Sequence, residues 1–369
     1  MIGYPVRFMI VCLPFLIGMA GCDGFFPSLC NNDYTEHELE LWLFSLDGTQ
    51  PIKLKNEFEA EYEFPQSDRY SLVGVSADAS FLYYTYEDYS DTTSSLFARD
   101  LRSGLNNRVA FEPGDHAFRL SPDRVWFAYL RGEKALWVAH TDGSEARKID
   151  EVTEGQMSPG IWPNDGHIAF SPDGKGIFLA SLSGDRTSRL SSADSIDTFD
   201  VAPDLKTVAY TRLVRGWNGN TGFGALAYVE DEMGAVFVGD GRSGLDFPVA
   251  FAAEGDRLLY AGPESYSLVL VDLTDSNHSP ITVSETTSIE GLVVAPSGDQ
   301  LVYIADQFFN RIILATGAKA LIQDAQALPA NEDSFWDSIR TRPQKFVFGP
   351  NEGEIYVLID QEKFSDGCD

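Results

Sequence analysis

The chain of 369 residues is short of positive charge: 27 Lys and Arg stand against 56 Asp and Glu, for a formal net charge of -29 at pH 7. A phosphate backbone rewards a basic stripe, so this composition argues against a nucleic-acid binder, and anionic membrane surfaces are disfavoured on the same ground. Histidine is scarce too, and His37, His116, His140, His167 and His278 are scattered rather than spaced as metal ligands. No Gly-x-Ser-x-Gly elbow, His-Glu-x-x-His pair, Gly-x-x-x-x-Gly-Lys loop or Cys-x-x-Cys occurs, so the familiar signatures of hydrolases, zinc peptidases, phosphate-loop enzymes and thiol redox proteins are missing. On sequence, no catalytic residue, metal ligand or cofactor is assigned. What the chain does have is 44% hydrophobic and 12% aromatic residues, enough to bury a large core.

Long apolar runs are absent apart from residues 8–17, which follow a single positive charge at Arg7 and are too short to span a bilayer as a mature helix. That pattern reads as a secretory signal peptide. It ends in Met19-Ala20-Gly21-Cys22, which resembles the bacterial lipobox, where small residues precede a cysteine that is lipidated and becomes the new N-terminus. The resemblance implies lipidation at Cys22, a signal peptide over 1–21, a tether over 22–38, and attachment to the bacterial cell envelope through lipid alone. By similarity to enterobacterial lipoproteins, Asp23 implies the periplasmic face of the inner membrane. Cys30 and Cys368 then remain in a compartment that permits disulfides.

One pattern recurs along the rest of the chain: an apolar strand, a turn of the type Ser/Ala-Pro-Asp-Gly, a second strand, and a third that often ends in Asp-Gly. The clearest copy has its turn at Ser121-Pro122-Asp123, strands over 126–130 and 135–140, and Asp142-Gly143 leading into a fourth strand. Turn anchors fall at Ala77, Pro122, Pro172, Pro203, Glu254, Pro296 and Pro350, a period near 45 residues. The expectation is an all-β, seven-bladed propeller over residues 39–369. A short interval from Pro172 to Pro203, where outer strands are barely written, leaves six blades open. Residues 354–359 read as a second strand lacking its third, and Leu41-Trp42-Leu43-Phe44 supplies it from the other terminus, which closes the ring with a shared blade. Cys30 and Cys368 would then lie over the same end of that blade, so a Cys30–Cys368 disulfide is expected, against two unrelated thiols.

The Ser-Pro-Asp-Gly turn followed by Leu-Trp and Asp-Gly-Ser/Thr resembles the WD-like repeats of TolB-type β-propellers, with its best matches at residues 120–149 and 170–175. The resemblance implies the propeller only, since the stretch between Cys22 and Leu39 is too short for the α/β domain that TolB carries in front of it. Activity does not follow, because the fold hosts many functions.

Acidic stretches at Glu87-Asp88 with Asp91, and at Glu230-Asp231-Glu232, are weighed as calcium ligands and read as solvated turns. Asn277-His278-Ser279 matches a glycosylation sequon, without meaning in a bacterial lipoprotein. Between Leu213 and Ala225 a hairpin outgrows the repeat and carries Arg215, Trp217 and Phe223, residue types that anchor recognition. A second insertion has Phe335, Trp336 and Ile339 at helical spacing, so a short helix is expected over 330–341. Together these features point to a lipid-anchored module that binds or scaffolds a protein or small-molecule partner. The alternative is a metal-dependent hydrolase or lyase with carboxylates lining the propeller channel.

Overall fold

The computed structural model describes residues 34–47, 51–54, 70–88, 93–109, 111–112, 114–182, 188–215, 223–241, 249–262, 267–275, 280–285, 289–305, 308–324 and 338–365. Seven four-stranded antiparallel sheets form the blades of a propeller. The chain begins with β1 (Tyr34–Ser45) and β2 (Ile52–Lys53). Blade 1 follows with β3 (Tyr70–Val75), β4 (Phe81–Asp88), β5 (Thr93–Asp100) and β6 (Asn106–Arg108). Blade 2 has β7 (Asp115–Leu120), β8 (Trp126–Arg131), β9 (Ala135–His140) and β10 (Arg147–Glu151). Blade 3 has β11 (Ile161–Asn164), β12 (His167–Phe170), β13 (Ile177–Ser181) and β14 (Ser188–Ser191). Blade 4 has β15 (Ile196–Val201), β16 (Val208–Arg215), β17 (Phe223–Asp231) and β18 (Gly234–Gly241). Blade 5 has β19 (Ala250–Phe251), β20 (Arg257–Ala261), β21 (Ser267–Asp272) and β22 (Pro280–Glu285). Blade 6 has β23 (Ile289–Val294), β24 (Gln300–Ala305), β25 (Phe308–Ile313) and β26 (Ala318–Asp324). Finally β27 (Ser338–Phe348) and β28 (Glu354–Ser365) join β1 and β2 as blade 7, in the order β2-β1-β28-β27.

Blade 7 thus closes the ring with strands from both ends of the chain. Its β1–β28 register runs without interruption from Tyr34 opposite Ser365 to Ser45 opposite Glu354, with Trp42 opposite Val357. Ladder bonds replace two edges that would otherwise stand open. Ser338 to Thr341, expected at the end of a helix, are instead the start of β27, paired with Gln361 to Phe364. A neighbouring strand with unpaired backbone groups outweighed the local helical spacing. The rest of that insertion, residues 330–337, lies outside the described residues.

Each sheet presents an apolar surface on both faces, because both are covered by neighbouring blades. Every residue of β24 is buried, as are five of six in β21. Seven apolar clusters result, one at each blade interface, such as Tyr83 and Leu96 of blade 1 against Phe118, Phe127 and Tyr129 of blade 2. The rings there meet edge-on or stacked, with Tyr83 and Phe127 centroids 5.0 Å apart.

The first two strands of each blade meet at a turn on one common end of the ring. In six blades this turn has one form: the fourth residue donates its N–H to the carbonyl of the first and adopts positive φ, as in Ala79, Arg124, Leu205, Gly255, Gly298 and Glu352. Gly298 needs its missing Cβ twice over, for its φ of 74° and because a Cβ would come within 2.8 Å of the Ala253 backbone nitrogen. Blade 3 differs. There β11 and β12 are joined by Asp165-Gly166 alone, with Asn164 opposite His167, and Ser171-Pro172-Asp173-Gly174 links β12 to β13 at the other end of the ring. Pro172 is therefore one strand out of phase with the other six anchors. Pro163 takes its place, 41 residues after Pro122 and 40 before Pro203, and the short interval disappears. A two-residue Asp-Gly hairpin had stood in for the four-residue turn.

Candidate functional site

Turn aspartates are structural. In blade 2, Ser121 Oγ donates to Asp123 Oδ1 and accepts the N–H of Trp126 at 2.9 Å, while Asp123 Oδ1 accepts that of Val125 at 3.1 Å. Ser76, Asp78 and Ser80 repeat the arrangement, and their hydroxyl and N–H donors hold the Asp78 carboxyl down at about 2. Neighbouring turns are tied together around the ring. Asp165 accepts the Asp123 N–H at 2.9 Å, and Glu352 accepts both the N–H and the hydroxyl of Ser297.

Arg124 occupies the glycine slot of its turn. Its guanidinium donates to Val75 O of blade 1 and to Gly349 O of blade 7, both at 2.7 Å, so one buried side chain ties three consecutive blades across the closure. Sequence reading missed it. The available signal was an arginine where the repeat has glycine.

Two cavities lie at opposite ends of the inner strands and share Phe199 of β15. The first, about 400 Å³, lies at the turn end and draws its walls from blades 2 to 6, with Pro122, Pro163, Pro203 and Pro296 at its mouth. Trp162, Phe199 and Phe251 contribute aromatic surface, and Asp200 of β15 and Arg119 of β7 are its charged members. Asp200 accepts backbone N–H groups from Val201 and, across the blade interface, from Phe251, each at 2.8 Å. Enclosure in this apolar setting nevertheless outweighs both bonds and pushes its carboxyl up to about 6.

The second cavity, about 660 Å³, lies at the opposite end between blades 3 and 4. Gln156, Ser158 and Ser171 line one side, Ile196, Asp197 and Leu213 the other. Ser158 Oγ accepts the Ser171 N–H at 2.7 Å, whereas the buried Ser171 hydroxyl has no partner among the described residues. Partial burial raises the pKa of the Asp197 carboxyl, with no countering donor.

The base of the β16–β17 hairpin borders this second cavity. β16 and β17 stay paired as far as Arg215 opposite Phe223, and Leu213 of β16 lines the cavity itself. Trp217 lies outside the described residues, as do Cys22, Cys30 and Cys368. Of the second acidic stretch, Glu230 accepts the Ser191 hydroxyl, Asp231 caps the N–H of Met233, and Glu232 pairs with Lys206, so the three carboxylates are spent on separate contacts. Asp91 falls outside the described residues. His140 packs against Trp126 with centroids 3.9 Å apart and the rings tilted by 36°, and His116 and His167 bond locally to Gly114 O and Asn164 Oδ1.

No family model matches the chain, and no curated protein matches it. Among solved structures it is similar to an oligogalacturonate lyase of Vibrio parahaemolyticus at a TM-score of 0.53 and 10% identity, covering 88% of this chain and 96% of that one. An oligogalacturonate lyase in complex with manganese gives 0.52 and 12% identity over 79% of this chain and 88% of that one. TolB from Acinetobacter baumannii gives 0.43 and 15% over 67% and 63%. At these identities what is shared is the fold. Manganese prompts a test of the donor set: among the described residues no group of three His, Cys, Asp or Glu side chains is placed to hold a metal ion; Asp200 stands with mostly apolar neighbours, and Asp197 shares its cavity with a single further carboxylate, Asp173. The described residues thus present no donor set of three for a divalent cation, and the likeness stops at a seven-bladed propeller.

Proposed function

We propose that the protein is a lipid-anchored, extracytoplasmic recognition module that captures a protein or small-molecule partner at the end of the ring bearing the long β16–β17 hairpin. The observation that carries this reading is the 660 Å³ cavity at the foot of that hairpin, where Asp197 and the Ser171 hydroxyl lack partners among the described residues. Polar groups left unsatisfied at the wall of a cavity favour a ligand that satisfies them. Arg215, Trp217 and Phe223 supply the rim in this reading, Cys22 the lipid attachment, and Cys30–Cys368 a covalent staple. The uninterrupted β1–β28 register supports the staple, because it ends at Tyr34 and Ser365, close in sequence to both cysteines.

Capture of partners from an envelope extract, identified by mass spectrometry and compared with the Trp217→Ala/Phe223→Ala double variant, tests the recognition face. Loss of the captured species in a folded variant is expected, and unchanged recovery would remove the hairpin from the reading. Cys22→Ser should move the protein from the membrane to the soluble fraction. Non-reducing peptide mapping should return a linked Cys30 and Cys368 peptide.

A further inference from the structure

The first cavity, at the turn end, shares only Phe199 with the cavity at the recognition face and has its own chemistry. Its walls are prolines and aromatic rings, and Asp200 places a carboxylate among them. The two N–H donors to Asp200 take one lone pair on each oxygen and leave acceptor capacity unused. No cation among the described residues lies within ion-pair distance of it, although Arg119 contributes to the blade 2 side of the wall. A lone carboxylate with apolar neighbours is a poor site for a hard metal ion, which needs about six oxygen donors. It suits a compact organic cation, for which Trp162, Phe199 and Phe251 add ring faces that attract positive charge. The chain's net charge of -29 raises the local concentration of any cation.

We infer that the turn-end cavity binds a primary ammonium on an apolar stem, the stem against the proline and aromatic walls and the ammonium on Asp200. Two sources present that chemistry, a free alkylamine and the lysine side chain of a partner.

Calorimetry on the whole protein tests it with four probes: n-pentylamine and its neutral isostere 1-pentanol, and acetyl-Gly-Lys-Gly-amide with its Nζ-acetylated form. A charged probe should bind at least tenfold more tightly than its neutral counterpart. Preference confined to pentylamine identifies a free amine as the source; preference that includes the peptide identifies a side chain. Asp200→Asn should erase the preference, and Trp162→Ala should weaken binding at least threefold while keeping it. The inference is overturned if neither charged probe binds wild-type protein at 10 mM or tighter, if the preference persists in Asp200→Asn, or if Trp162→Ala leaves affinity unchanged. Should Asp200→Asn fail to fold, the wild-type comparison and Trp162→Ala decide. Neither variant touches the hairpin or the cavity beside it, so this result stands apart from that of the partner capture.

Discussion

Aspartates at the turns and aspartates along the axis are the same residue under opposite forces. Asp78 is surrounded by donors, Ser76 and Ser80 hydroxyls and the Ser80 N–H, and its charged form is favoured. Asp200 has two backbone donors and an apolar enclosure, and its charged form is disfavoured. Asp197, more exposed to solvent, has no donor, and its partial desolvation shifts it the same way. Turn carboxylates use their charge to hold the ring; Asp200 keeps acceptor capacity beyond its two backbone bonds, and Asp197 accepts from no donor among the described residues. Unused charge in a cavity is the mark of a site.

Breaking the turn ring has the largest expected effect. Arg124→Met removes both 2.7 Å bonds to blades 1 and 7, and urea denaturation should show a loss of about 3 kcal/mol. Amine binding in the axial cavity should survive in the folded fraction.

The axial side of the comparison is sharpened by pH. Asp200 titrates near 3.8 in the unfolded chain and at about 6 in the fold, so the fold holds the proton more tightly. Its contribution to stability is full below about pH 4 and is lost as pH rises through about 6. Wild-type protein should lose about 2 kcal/mol relative to Asp200→Asn between pH 4 and pH 7, read from paired denaturation curves. A constant difference across that range would contradict the enclosure. Asp78 works in the reverse sense: its contribution is present above about pH 4 and is lost as pH falls toward about 2.

Smaller effects complete the contrast. Ser121→Ala removes the donor to Asp123 and the acceptor of the Trp126 N–H, and should cost about 1 kcal/mol. Asp197→Asn should change stability by less than about 0.5 kcal/mol, because no donor depends on that carboxylate. A larger loss would place Asp197 with the turn residues.

Legibility followed how local the cause was. Blade 2 was readable throughout, since Pro122, Asp123, Asp142 and Gly143 punctuate strands whose alternation is complete within about 30 residues. The shared blade was readable because Leu41 and Val357 sit in segments that each lack a neighbour. Blade 3 misled because Ser171-Pro172-Asp173-Gly174 is the same four-residue signal at a different hairpin, and only strand pairing separates the two. Asp200 and Phe251 lie on different blades, so the enclosure that raises the Asp200 carboxyl has no trace in the sequence near either residue. The hairpin bearing Arg215 and Phe223 was visible as an excess of residues over the repeat, but the cavity that Leu213 lines at its base was not.

By itself the sequence determined the repeat and the closure and favoured seven blades over six, because each follows from strand periodicity and turn chemistry that act within one unit. Which aspartates hold the turns and which face a cavity was decided only by tertiary structure. Enclosure and the supply of donors come from neighbouring blades, and those distances exist only once the ring has closed.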